Sequence, residues 1–159
     1  MRTVEVTLYK FNELPTDKAK ERARNWWRES EEYPHFGEAM GSLKAFCSLF
    51  GVTVRDYCIG DDYRSFIKTD AEHQTFRGIK LKNFNRDAMP TGFHFDCSLM
   101  YEFCDVFKKT GDAHYAFQQA LEQFLIDVRK DVEWHFSDEC IDELLEVNEY
   151  EFTEEGETA

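Results

Sequence analysis

Val4, Val6 and Leu8 alternate with Thr3, Glu5, Thr7 and Tyr9, the period of two that a strand shows when one face is buried. Pro15 stops that strand and Thr16 offers a helix cap. Ala19, Ala23, Trp26 and Trp27 then recur at helical spacing among Lys18, Lys20, Arg22, Arg24 and Arg28. A second helix is predicted from Phe36 to Phe50, with Ala39, Met40, Leu43, Phe46, Cys47 and Phe50 on one face and Gly51 as its stop.

Val52 to Ile59, Ser65 to Thr69 and Arg77 to Phe84 read as three short strands of a meander, because β-branched and aromatic residues recur there between turn formers such as Gly60-Asp61-Asp62 and Gly78. Asn83 to Gly92, with Pro90, reads as a loop. Asp96 or Ser98 would cap a helix carrying Leu99, Met100, Phe103, Cys104 and Phe107, which Gly111 ends. Asp112 opens the longest helix, whose stripe is Ala113, Ala116, Phe117, Ala120, Leu121, Phe124, Leu125 and Val128. Ser137 caps a last short helix through Leu145, and Val147 to Phe152 reads as a strand in which Tyr150 and Phe152 share a face. The order β-α-α-β-β-β-α-α-α-β is an α+β fold: a small, mostly antiparallel sheet packed with four to five helices. Residues 1 to 152 are expected to form one domain and residues 153 to 159 a frayed acidic tail.

Charge changes this picture at one end only. From Asp131 to Ala159 there are 12 Asp or Glu and no Lys or Arg, whereas the first 130 residues hold 20 acids and 19 bases. A net charge of −13 thus divides as −1 and −12, a local field that attracts basic surfaces and repels nucleic acid backbones and anionic lipid. The remaining composition is that of a folded protein, since 15 Phe supply more ring surface than a disordered chain carries. The five cysteines are odd in number and without paired spacing, and no apolar run marks a secretory signal or a membrane span. Reduced thiols in a cytoplasm are expected.

The opening, Leu8-Tyr9-Lys10-Phe11-Asn12-Glu13-Leu14-Pro15 followed by Lys18-Ala19-Lys20 and Trp26-Trp27, resembles the start of a family of small phage and prophage proteins. The close, Asn148-Glu149-Tyr150-Glu151-Phe152-Thr153-Glu154-Glu155-Gly156, resembles that family's ending. The resemblance covers about a quarter of the chain and carries no functional residues with it. It implies an accessory protein acting inside an infected or lysogenic bacterial host. It also implies that the first and last strands are neighbours, which would bring the acidic segment beside the basic helix.

Asp131, Asp138, Glu139, Asp142, Glu143 and Glu146 fall on predicted helix around an apolar stripe, so their carboxylates would be held on a folded surface. Such an array can imitate a phosphate backbone, whose charges lie roughly 3.4 Å apart along each duplex strand; the plain alternative is a solvated face that aids solubility. The basic helix with Trp26 and Trp27 could grip and stack a single strand, yet a core role for the tryptophans and local pairing to Glu21 and Glu29 explain it as well. His94, Cys97 and Cys104 lack the paired spacing of a zinc site, and Asp61-Asp62, considered with Asp96 as a metal or acid/base cluster, reads as a hairpin turn. No phosphate loop, nucleophile elbow or zinc-protease motif occurs. The expectation is a stoichiometric inhibitor without cofactor or metal, whose acidic face docks on a basic host surface, as an anti-CRISPR or other anti-defence protein would. An antitoxin-like neutraliser of a basic toxin and an enzyme of unrecognised type are the alternatives.

Overall fold

The computed structural model describes residues 2–59 and 64–159. It is an α+β fold, and among the described residues it has five α-helices and two separate two-stranded antiparallel sheets rather than one. The helices are α1 (Asp17–Ser30), α2 (Phe36–Ser48), α3 (Phe95–Thr110), α4 (Ala113–His135) and α5 (Asp138–Val147), and the strands are β1 (Tyr9–Lys10), β2 (Val54–Cys58), β3 (Phe66–Thr69) and β4 (Glu151–Phe152). The chain divides into two compact units, one made of Met1–Tyr33 with Glu133–Ala159 and the other of Pro34–Val132.

The end unit joins the two ends of the chain. β1 and β4 pair antiparallel, Tyr9 opposite Phe152 and Lys10 opposite Glu151. Thr16 Oγ1 accepts a hydrogen bond from Ala19 N at 3.0 Å and so caps α1. Ser137 Oγ accepts one from Cys140 N at 3.3 Å and caps α5. The core holds Phe11, Leu14, Ala19, Ala23, Ile141, Leu145 and Phe152, with Tyr9, Trp26, Trp27 and Tyr150 packed around it. Trp26 meets both Tyr150 and Phe152 edge-on, at 5.4 and 6.2 Å, as a shared face for those two residues requires.

Three expectations for this unit are corrected. The strand read from Val147 to Phe152 is reduced to Glu151–Phe152, because α5 runs through Val147, and Asn148 and Glu149 form a turn. The strand read from Thr3 to Tyr9 is reduced to Tyr9–Lys10, and Val4, Val6 and Leu8 are exposed. An antiparallel register continuing before Tyr9 needs partners after Phe152, where the chain instead turns with Gly156 N donating to Thr153 O at 2.9 Å; alternation without a partner strand makes no sheet. The turn also anchors the segment read as a frayed tail. Thr153 N donates to Glu157 O at 2.7 Å and Ala159 N to Glu151 O at 3.1 Å, while Phe152 bridges Thr158. Gly156 is buried at φ +87, and a Cβ placed there would lie 2.0 Å from Ala19 O. Only glycine fits this close approach to the first turn of α1.

The central unit is built on aromatic packing. Phe46 stacks on Phe117 at 5.5 Å, and Phe50 meets Phe84, Phe103 and Phe117 at 5.3, 4.9 and 5.3 Å. Ala116 and Ala120 of α4 are fully buried; their small side chains let the backbone approach this cluster. Gly111 ends α3 in the left-handed region at φ 69, its N–H bonding Phe107 O at 2.8 Å. Asp112 Oδ1 accepts from Tyr115 N at the start of α4.

Asp96 is not a helix cap. It is buried and accepts from Thr91 N, Thr91 Oγ1 and Gly92 N at 2.9 to 3.0 Å, tying down the loop before α3. β2 and β3 pair as a hairpin with Tyr57 opposite Ile67, but the third strand of the expected meander is absent. Gly78 at φ +75 and a 3-10 turn over Leu81–Asn83 break the extended run from Arg77 to Phe84. Phe76 and Phe84 pack on Phe50 instead, at 5.6 and 5.3 Å. The proposed Asp61-Asp62 turn lies outside the described residues.

Candidate functional site: the acidic face of α5

Seven of the ten residues of α5 fall by helical spacing into three rows. Ile141 and Leu145, four apart, are fully buried. Asp138 and Asp142, also four apart, meet the arginines of α1. Arg24 binds Asp142 bidentately, Nε to Oδ1 at 2.6 Å and Nη2 to Oδ2 at 2.8 Å. Its Nη1 also donates to Glu21 Oε2 at 3.1 Å. Arg28 binds Asp138, donates to Glu21 Oε1 at 3.2 Å and reaches Phe136 O at 3.1 Å. The hydrogen bonds from Arg24 to Asp142 raise the guanidinium pKa further above its ordinary value, against the opposing effect of burial. A planar guanidinium matched to a carboxylate is the stronger form of ion pair, and here it joins helices 118 residues apart in sequence.

Glu139, Glu143 and Glu146 make the third row, at positions i, i+4 and i+7 and therefore on one face. All three are exposed, and among the described residues none has a hydrogen-bond or ion-pair partner. At a rise of about 1.5 Å per residue the row spans roughly 10 Å, one carboxylate per 5 Å or so. The acidic segment therefore has two faces of different chemistry, one neutralised inside the unit and one unpaired. The six carboxylates picked out in the sequence do not form one array. Asp131 belongs to the central unit, where its Oδ2 lies 3.0 Å from His35 Nδ1; Asp138 and Asp142 are engaged by arginines; Glu139, Glu143 and Glu146 remain.

The basic helix is correspondingly occupied. Arg22 reaches Glu157 at 3.2 Å, Arg24 and Arg28 are held as described, and Trp26 and Trp27 pack on Tyr150 at 5.4 and 6.2 Å. Arg22, Arg24 and Arg28 of α1 are thus ion-paired within the unit, and its two indoles pack against the core. Sequence reading placed the basic helix beside the acidic segment but did not find this pairing. The available signal was the four-residue spacing shared by Arg24 and Arg28 and by Asp138 and Asp142.

Among the described residues, no set of three metal-ligating side chains with ligand atoms within 4.8 Å of one another includes His94, Cys97 or Cys104. Cys104 is buried and its thiol pKa is pushed up by desolvation. Cys47 is fully buried, with its thiol pushed up to about 12 for the same reason. None of the five cysteines is joined in a disulfide. No described helix is long and apolar enough to cross a membrane. No family model, curated protein or solved structure matches this chain.

Proposed function

We propose that this protein acts by stoichiometric binding, with the outward row Glu139, Glu143 and Glu146 docking on a Lys- or Arg-lined surface of a host protein. The observation that carries this reading is the division of α5. Two carboxylates are neutralised by arginines of the same unit, while three on the adjoining face are left exposed and unpaired on a helix anchored by Ile141 and Leu145. Three like charges on one helix face repel one another, each i,i+4 pair costing a few tenths of a kcal/mol. A partner that supplied cations would relieve that cost. Their spacing is of the same order as that of backbone phosphates, so a channel built for nucleic acid has suitable chemistry. With the phage resemblance of the chain's two ends, this favours an inhibitor of a bacterial defence complex of the anti-CRISPR kind, acting in the cytoplasm of the host.

The test is capture from bacterial lysate by the wild-type protein and by Glu139→Lys/Glu143→Lys/Glu146→Lys, followed by competition with duplex DNA for whatever is captured. The triple variant should fold, because exposed substitutions of this kind change stability by about 0.5 kcal/mol or less each, and should lose the partner. Wild-type binding should weaken steeply with salt, which screens exposed charge over about 10 Å at 0.1 M. A folded triple variant that still binds, or binding indifferent to salt and to DNA, would assign the row to solubility. A captured toxin with no affinity for DNA would shift the reading to an antitoxin.

A further inference from the structure

Arg77 to Arg86 contains four bases and no acid in ten residues of a chain whose net charge is −13. Only one of the four is neutralised. Arg86 closes on Asp105 through two bonds of 2.8 and 3.1 Å, and its guanidinium carbon lies 4.1 Å from the ring centre of Tyr101. Arg77, Lys80 and Lys82 have no ion-pair partner among the described residues. Two of them, Arg77 and Lys80, line a cavity of about 540 Å³ in the central unit, within the roughly 300–1,000 Å³ of small-molecule sites.

The remaining walls narrow the ligand. Phe84 presents a partly exposed ring, packed against Phe50 at 5.3 Å and Phe103 at 5.1 Å. Asn83 and Asn85, on either side of it in sequence, line the same wall. Asn85 Oδ1 accepts from Asp87 N at 3.0 Å, which leaves its NH2 as a donor, and the Asn83 side-chain amide makes no hydrogen bond among the described residues. Leu49, Ile79 and Met100 complete an apolar lining. Inorganic phosphate alone would use the cations and leave this lining wet, while an uncharged ring would leave the cations without a counterion. A planar heterocycle carrying a phosphate engages both, stacking on Phe84, offering its edge to the amides and its phosphate to Arg77 and Lys80.

We propose that this cavity binds a nucleoside phosphate. The site is separate from the α5 row, and neither reading rests on the other. A free nucleotide and the terminal nucleotide of an oligonucleotide share the recognising chemistry, so both enter the test. The full chain, labelled for amide NMR, is titrated with AMP, adenosine, inorganic phosphate and a 5′-phosphorylated oligonucleotide. AMP should shift amides of Arg77 to Ala88, Leu49 and Met100, with adenosine and phosphate each at least tenfold weaker. Arg77→Gln/Lys80→Gln should raise the AMP dissociation constant at least tenfold with the rest of the spectrum unchanged, since both side chains are exposed. Asn83→Ala should weaken AMP and leave phosphate unaffected. Tighter binding of the oligonucleotide at the same amides identifies the terminal nucleotide as the ligand; equal or weaker binding identifies the free one. No shift at millimolar AMP, shifts elsewhere, phosphate binding as well as AMP, or an unchanged affinity in the double variant would overturn the proposal.

Discussion

The two units of this chain are stabilised by different physics. The end unit carries 7 Lys or Arg against 18 Asp or Glu, and the central unit 12 against 14, so nearly all of the net charge sits in the unit made from the two termini. There, the bidentate pair Arg24–Asp142, half-buried, and the single bond from Arg28 to the exposed Asp138 join α1 to α5, on a core of only a few large side chains. In the central unit the phenylalanines of α2, α3 and α4 interlock, and Arg77, Lys80 and Lys82 have no carboxylate partner among the described residues. Charge can be concentrated in the end unit because its arginines take up part of the acid, leaving a defined remainder on one helix face. Among the described residues of the central unit, the bidentate pair Arg86–Asp105 lies at exposed positions, and the buried groups are almost all apolar.

The largest effect should come from the central core. Phe46→Ala removes a fully buried ring that stacks on Phe117 and should cost about 3–5 kcal/mol in urea unfolding. A loss below about 1 kcal/mol would show that the cluster is not the unit's main support. In the end unit, Gly156→Val meets both a positive φ and the backbone of Ala19, and should cost roughly 2–4 kcal/mol. Hydrogen exchange at the Gly156-adjacent amide of Glu157 and at Thr153 should then speed up; unchanged protection would mean that the turn is not held against α1.

A smaller effect separates the two acidic rows. Asp142→Asn should cost about 1–2 kcal/mol and be less damaging at high salt, because the lost pair is charge-assisted but about a third exposed on the Asp142 side. Glu143→Gln, one residue along, should be nearly neutral, within about 0.5 kcal/mol. Equal losses from the two would erase the distinction between inward and outward carboxylates. The remaining effect appears only at alkaline pH. Burial raises the Cys47 thiol from 9.0 to about 12, so the folded state holds this proton more tightly than the unfolded one. That contribution is complete below pH 9.0 and lost as pH rises toward about 12. Stability should therefore fall by roughly 1 kcal/mol per pH unit in that window, and Cys47→Ala should flatten the decline. An identical alkaline slope in the variant would place the effect elsewhere.

The helices were legible because their signals are local. Thr16 and Ser137 cap from within one turn, Gly111 stops α3 through its own φ, and the apolar stripes of α2, α3 and α4 repeat every three or four residues. The strand readings fared worse. Arg77 to Phe84 has the composition of a strand, but Phe76 and Phe84 turn into the Phe50 cluster and Gly78 permits the bend. Reading those residues as pleated also hid the run of bases that lines the cavity. Thr3 to Leu8 has the correct alternation and no partner, since pairing depends on residues that lie beyond Phe152 and turn away.

For the acidic segment, amino-acid order alone determined that 12 carboxylates would gather in the last 29 residues, and that some would share a helix with Ile141 and Leu145. Periodicity fixes which residues lie on one face of a helix. It does not say what that face meets. Only the tertiary structure decided that Asp138 and Asp142 meet Arg28 and Arg24 across 110 and 118 residues of chain, while Glu139, Glu143 and Glu146 make no hydrogen bond or ion pair with the described residues. The reason is geometric: pairing of the chain's two ends through Tyr9 and Phe152 brings α1 beside α5, and a quarter turn of that helix separates a neutralised carboxylate from a free one.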